Sequence, residues 1–236
     1  MLAGERLWLT NSDLAARTGL TKSSVSRLSS VLVGLGYLSR ESGRGRLRLT
    51  AATLELGFGS AFASEPVAQA HAELARLANE LDVYASLGIR RADKVQVLDN
   101  AVSPLHPDAV PMDVGGTLPI CRSASGGAAF SALPEAEAES LLERLSSRYG
   151  PRWQSLQRQL MRTKQEYSSK GYCSSVAALS RDVAAVALPV ASEANGDVYV
   201  IGCGMAPTEF HRERVERQIV PRMLQAARQV AAALRN

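Results

Sequence analysis

The sequence predicts an α+β protein in two parts. An N-terminal winged helix-turn-helix comes first, then a larger domain of strands and helices in mixed order. Three observations predict this. Residues 21–36 (TKSSVSRLSSVLVGLG) read as a capped, one-faced helix with a second capped helix before it. A basic hairpin pattern with glycines at its turn follows at residues 37–49. Beyond residue 80, short apolar runs of strand length are interspersed with longer stretches of helical period. The expected division is residues 1–50 for the winged helix-turn-helix, 51–66 for a linker helix and 67–236 for the second domain.

The first module begins with Leu7-Trp8-Leu9, a short strand able to pair with the wing. Fewer than ten residues precede Thr10, too few for the additional helix that usually opens a winged helix-turn-helix. Thr10 and Asp13 fit a capping pattern that starts a short helix, and Gly19 ends it. Thr21 caps the next helix. Val25, Leu28, Leu32 and Leu35 recur at spacings of three and four, so they form one face, expected to be the buried one. Lys22, Ser23, Ser24, Ser26, Arg27 and Ser30 lie off that face. Short hydroxyls and cations are what base edges and flanking phosphates accept. Gly36 is a natural stop. Residues 37–40 and 46–49 suit two strands around the turn Ser42-Gly43-Arg44-Gly45, with Arg44 and Arg46 at the tip. Residues 21–36 alone could be an ordinary core helix with a solvated serine face. Helix, turn, helix and arginine hairpin in that order favour double-stranded DNA as the partner.

Charge supports this placement. The chain of 236 residues carries a net charge of +4. Residues 1–60 hold eight Lys/Arg against four Asp/Glu, and the remainder balances, so the whole excess sits on the first module. No apolar run approaches a membrane span, and the start carries Glu5 and Arg6 where a signal peptide would need an apolar segment. Cys121, Cys173 and Cys203 are odd in number and widely spaced. That fits a reducing cytoplasm and argues against a zinc site. His71, His106 and His211 join no catalytic motif, so neither an enzyme, a metal nor a cofactor is expected. The competing function is a protein-docking module with a degenerate DNA-binding domain. Salt dependence separates the two, because phosphate contacts weaken steeply with ionic strength.

From residue 51 a linker helix runs to about residue 64. A helix opened by Pro66 follows to about Leu81, with Leu74, Leu77 and Leu81 on one face. Residues 83–89 and 94–100 read as strands, and 101–119 as loop. Residues 123–132 are a short stretch rich in small residues, and 135–147 and 152–169 read as helices. Residues 182–190 (DVAAVALPV) are apolar enough for a strand covered on both faces, and 198–204 form another. The last long helix, 208–234, carries Val215, Ile219, Met223, Ala226, Val230 and Leu234 on one side.

With these segments in place, the chain resembles the isocitrate lyase regulator (IclR) family of bacterial transcription factors. The likeness is carried by LTNSDLAARTGLTKSSVSRLSSVLVGLGYL and GRGRLRLT in the first module. In the second it is carried by GGTLPICRSASGGAAF, by GYCSS followed by DVAAVALPV, and by the final helix. No single motif is diagnostic; their joint order and spacing is. The resemblance implies a winged helix-turn-helix, a linker helix and a GAF-like domain with a central antiparallel sheet that binds a small effector. It also implies a homodimer or dimer of dimers on a roughly palindromic operator, and repression of a catabolic operon as the default.

Carried over by position, the effector candidates are Ser123, Ala124, Ser125, Gly126, Ser175, Ala185, Gly202, Cys203 and Gly204. Small residues and free loop N–H groups there suit a small carboxylate, and the effector expected is a small organic acid or an aromatic metabolite. The sequence departs from the family in two places. Arg122 and Gly127 reverse the usual small and basic residues, and Ser174, Ser175, Val176 and Ala177 replace the acids that often follow the Gly-Tyr pair. An inward Arg122 would pair with an acid, and an outward one would be solvated.

Overall fold

The computed structural model describes residues 8–61, 65–105, 112–190 and 197–233; for 57–61 and 65–68 it describes the backbone only. The chain falls into two compact units, Met1–Ser64 and Glu65–Asn236.

In the first unit, Thr10 caps α1 (Asn11–Thr18) through a reciprocal box. Its hydroxyl accepts from the Asp13 amide at 3.1 Å, and the Asp13 carboxylate accepts from the Thr10 amide at 2.8 Å. Thr21 caps α2 (Lys22–Gly34) by accepting from the Ser24 amide at 3.2 Å. Gly36 then takes φ +82°, the left-handed turn that an L side chain resists. The wing is β1 (Leu38–Arg40) antiparallel to β2 (Leu47–Leu49). As the sequence suggests, the N-terminal segment joins it: Leu9 and Leu47 exchange backbone hydrogen bonds of 2.8 and 2.7 Å. The Arg48 guanidinium lies 4.7 Å from the Trp8 ring centroid.

The buried face of α2 differs from expectation. Val25 and Ser29 are buried, whereas Leu28, Leu32 and Leu35 are 55%, 40% and 63% exposed. The helix sits on α1 and the wing, and among the described residues of this unit no helix precedes α1 to cover the leucines. Their 3–4 spacing correctly marks an apolar face. Burial needs a second surface that the described residues of this unit do not supply. α3 (Ala52–Ala61) ends the unit.

The second unit opens with α4 (Glu65–Leu81) and is built on one antiparallel sheet of six strands. These are β3 (Tyr84–Arg91), β4 (Lys94–Val102), β5 (Thr117–Pro119), β6 (Cys173–Val176), β7 (Ala184–Val190) and β8 (Tyr199–Met205), in the order β5-β4-β3-β8-β7-β6. Two short strands, β5 and β6, escape a reading from propensity. Each is three or four residues long, and β5 lies beside Gly115 and Gly116 and ends in Pro119. Proline is tolerated there because β5 is a sheet edge.

Period-2 alternation decides what each strand gives to each face. Ala184, Val186, Leu188 and Val190 of β7 join Ile201 and Cys203 of β8, Leu74 and Leu77 of α4 and the last helix in the main core. Ala187 and Val200 face the other way, toward α5 (Ala124–Ser131). This is the two-sided burial that the apolar run predicts. α6 (Glu135–Tyr149) and α7 (Trp153–Lys170) add a further cluster around the fully buried Phe130.

The C-terminal helix is not uniform. α8 (Arg212–Arg214), a π-helical segment (Val215–Ile219) and α9 (Val220–Ala233) follow one another without a break. Pro221 lies at the junction. Its ring has no N–H to donate and would crowd the carbonyl four residues back in a regular helix, and the wider π turn relieves both demands. The apolar side holds: Val215, Ile219, Met223, Ala226 and Val230 are all buried. Leu234 lies outside the described residues.

Candidate functional site

On α2, successive residues are about 100° apart, so Arg27 lies roughly opposite the buried Val25. Lys22, Ser23, Ser26, Arg27 and Ser30 are all exposed. Ser24 is half-buried. The hydroxyls of Ser23 and Ser24 both lie 2.9 Å from Thr21 Oγ1, so they belong first to the helix cap. At the wing, Arg44 is exposed at the tip. Arg46, expected at the tip with it, is committed elsewhere: its Nε and Nη2 donate to both carboxylate oxygens of Glu41, at 2.5 and 2.8 Å. This hydrogen-bonded guanidinium holds the Glu41 carboxyl below its ordinary pKa. Arg46 thereby closes the base of the hairpin. Arg48, which sequence reasoning did not single out, is exposed, with its Nε donating to Ser39 Oγ at 3.1 Å.

In the second unit, a cavity of about 490 Å³ opens between the α5 side of the sheet and the segment that follows β6. Eight of the nine positional candidates line it: Ser123, Ala124, Ser125, Ser175, Ala185, Gly202, Cys203 and Gly204. Ser123 is the N-cap of α5 and accepts from the Gly126 amide at 2.9 Å. That leaves the first-turn amides of Ala124 and Ser125 without partners inside the helix. Gly202 forms the floor: a Cβ there would lie 3.1 Å from both Ser125 Oγ and Ser86 Oγ.

Two candidates need correction. Gly126 does not line the cavity, because it is buried against the backbone of Ile120, where only glycine fits. Cys203 contributes to the wall, but its side chain belongs to the core cluster on the opposite face, as its place between Gly202 and Gly204 dictates.

Sequence reasoning missed Tyr84, Ser86, Met112, Leu118 and residues 179, 180, 182 and 183, which also line the cavity. Tyr84 pairs with Gly204 and Ser86 with Gly202 across β3 and β8. Knowing that pairing would have exposed them, since cross-strand partners share a face. The Tyr84 hydroxyl donates to the Met112 carbonyl at 3.1 Å, and burial pushes its pKa up to about 12. Among the described residues of the lining, Asp82, Asp182 and Glu209 are the charged ones, and none is Lys, Arg or His. Arg122 points away from this cavity, and its Nη2 donates to the Ala178 carbonyl at 3.0 Å.

Neither described histidine lines the cavity. His71 Nδ1 lies 3.0 Å from the buried Asp99, and His211 precedes α8. His106 lies outside the described residues. The three cysteines are free and buried. Burial raises Cys121 to about 11 and both Cys173 and Cys203 to about 12. At neutral pH roughly one thiol in a thousand or fewer is then ionised. Iodoacetamide at pH 7.5 should leave the native thiols unmodified and label three per chain in denaturant; labelling of the native protein within minutes would contradict this. The same shifts fix a pH dependence. The thiols favour the folded state in full below the ordinary thiol pKa of 9.0, and that contribution is lost as pH rises toward about 12.

Similarity to known proteins follows the same division. The model described as "IclR helix-turn-helix domain" matches residues 1–42, and that described as "Bacterial transcriptional regulator IclR C-terminal" matches residues 63–232. The HTH-type transcriptional regulator TsaQ1/TsaQ2 of Comamonas testosteroni is 28% identical over 230 residues, 96% of this chain and 82% of that protein. The crystal structure of an IclR family transcriptional regulator from Brucella abortus superposes with a TM-score of 0.88 at 29% identity, covering 98% of this chain and 87% of that one. An IclR homologue from Microbacterium hydrocarbonoxydans, complexed with 4-hydroxybenzoate, shares the fold at a TM-score of 0.67 and 22% identity, covering 98% and 92%. A DNA-reading unit, a cavity-bearing sheet domain and a match over both units agree: this chain belongs to the IclR family of bacterial transcriptional regulators, DNA-binding proteins whose C-terminal domain binds an effector.

Proposed function

We propose that the 490 Å³ cavity is the effector site and that α2 and the wing read the operator, with Lys22, Ser26, Arg27 and Ser30 toward the major groove and Arg44 on phosphate. The observation that carries the effector assignment is the composition of the cavity wall. One end gathers the Ser86, Ser123 and Ser125 hydroxyls with the first-turn amides of α5. The rest is largely apolar, with Met112, Leu118, Leu179 and Ala185 among it. A helix N-terminus favours negative charge, whereas three carboxylates in the wall disfavour a highly charged ligand. The effector class that meets both conditions is a small aromatic or aliphatic molecule with one acid or phenol head. The 4-hydroxybenzoate bound by the similar Microbacterium protein is of this class.

In this reading the regulator acts in the cytoplasm as a homodimer or dimer of dimers, because two recognition helices must reach half-sites about one DNA turn, ~34 Å, apart. Repression of a catabolic operon is the default sign of control. Coupling is reciprocal, so the effector shifts operator affinity by the factor by which operator DNA shifts effector affinity.

The test is a panel of substituted benzoates and short organic acids scored by the rise in melting temperature each produces. At least one should stabilise the native chain, and Gly202→Val should bind it at least tenfold more weakly while folding normally. A panel compound that binds the variant as well as the native protein would show that the effector sits elsewhere.

A further inference from the structure

A second groove of about 540 Å³ lies outside the effector cavity, between α7, the α5 entrance and the edge strand β6. It shares only Ser123 and Ser175 with the inner cavity. Its chemistry is the opposite of the inner one. The α7 wall is polar at helical spacing: Gln159, Arg162, Thr163, Glu166 and Lys170 all contribute. Arg122 faces them from the entrance to α5.

Charge in the groove is unbalanced. Glu166 is the lone carboxylate among the described residues of the lining, and both its oxygens are engaged. They accept from the Ser174 amide at 3.0 Å, the Ser174 hydroxyl at 2.8 Å and the Lys170 ammonium at 3.2 Å. Lys170 therefore neutralises Glu166. Among the described residues Arg162 has no ion-pair partner, and the polar contact of Arg122 is with the Ala178 carbonyl. Two guanidiniums thus face one concave, donor-rich space without a counter-charge. The edge of β6 adds to it. The Ser174 amide points outward to Glu166, and Val176, two residues on, directs its own amide the same way into the groove it lines. The guanidiniums, the Gln159 and Gln165 side-chain amides and the Val176 N–H are all donors, and what they jointly recognise is a cluster of oxyanion oxygens.

We propose that this groove is a second small-molecule site, for a polyanion bearing two or more oxyanion charges, either a phosphate compound or a polycarboxylate. The inner cavity, with three acids and no cation among the described residues of its wall, would repel such a ligand, so the two sites select different chemistries.

The experiment is a calorimetric titration of the full chain with pyrophosphate and, separately, citrate at fixed ionic strength. Four variants report where any binding occurs. R162A removes no intramolecular contact that the structure shows, and R122A/R162A removes both groove guanidiniums. K22A/R44A strips cations from the DNA-reading surface, the other basic region. The expected result is saturable binding of at least one of the two ligands, which also tells phosphate from carboxylate chemistry. Binding should weaken at least tenfold in R162A and further in the double variant, and stay unchanged in K22A/R44A. G202V should also leave it unchanged, which separates this site from the effector cavity whether or not that assignment holds. No saturable binding, binding that R122A/R162A leaves intact, or binding lost in G202V or K22A/R44A would each overturn the proposal.

Discussion

Gly126→Val is expected to lower the stability of the second unit by about 3 kcal/mol and to abolish effector binding with it. A Cβ at this position would lie 2.4 Å from Ile120 Cα, 2.5 Å from its carbonyl oxygen and 2.7 Å from its carbonyl carbon. All three are backbone atoms, so no side chain can swing aside. The strain must be relieved by moving α5 or the segment before it. α5 is buried along nearly its whole length, packing Ala124, Ala128 and Ala129 against the sheet and Phe130 into the α6–α7 cluster. Its entrance carries Ser123, Ala124 and Ser125 into the effector cavity. A shift large enough to admit valine therefore disturbs the core and the site together. The expected readout is a fall in melting temperature of about 6–12 °C for a unit of this size. Gly202→Ala is the control, since its Cβ meets two hydroxyls at 3.1 Å, groups that can rotate by a few tenths of an ångström. It should melt close to the native temperature. A Gly126→Val protein that melts at the native temperature and binds effector would show that the close approach to Ile120 is not a constraint.

That contrast shows how the site could be read, and misread, from the sequence. Positional likeness places Gly126 among the effector contacts because it lies within a small-residue stretch of cavity-lining neighbours. The reason for the glycine is steric, and it appears only when Ile120 is seen across from it. Cys203 teaches the same lesson from a strand: a residue between two site glycines must point away from the site. Local signals were legible where the physics is local. The Thr10 and Thr21 caps, the left-handed Gly36 and the two-faced β7 were all readable from residue type and spacing. What depended on distant chain was not. Tyr84 and Ser86 become site residues only through their register with Gly204 and Gly202, more than 100 residues away. Pro221 is visible in the sequence, but the π turn that accommodates it is a compromise with packing: Val215 and Ile219 must stay in the core on one side of the proline and Met223 on the other.

Lys22→Ala combined with Arg27→Ala is expected to weaken operator binding by about 2–6 kcal/mol, taking about 1–3 kcal/mol for each side chain and near-additivity. Arg27 is the sharper probe. It stands opposite Val25, the residue that anchors α2 in its own unit, so it projects farthest toward whatever the helix docks on. Ser26 and Ser30 flank it with exposed hydroxyls, whereas Ser23 and Ser24 are partly spent on the Thr21 cap and should matter less for base recognition. Arg44 and Arg46 should separate in the same assay. Arg44, exposed at the wing tip, should reduce the salt slope by about one when replaced by alanine, the signature of a phosphate contact. Arg46 is held by Glu41, so Arg46→Ala should act through a loosened wing, and Glu41→Ala should weaken binding in the same direction by freeing the hairpin base. Fluorescence anisotropy with DNA from upstream of the gene, against scrambled DNA, at two salt concentrations, reads all of these. Loss on the operator alone assigns Arg27 to a base edge, and equal loss on both DNAs assigns it to phosphate. If Arg27→Ala binds both DNAs as the native protein does, α2 is not the reading helix, and the exposed leucines beside it become the better guide to what that surface docks.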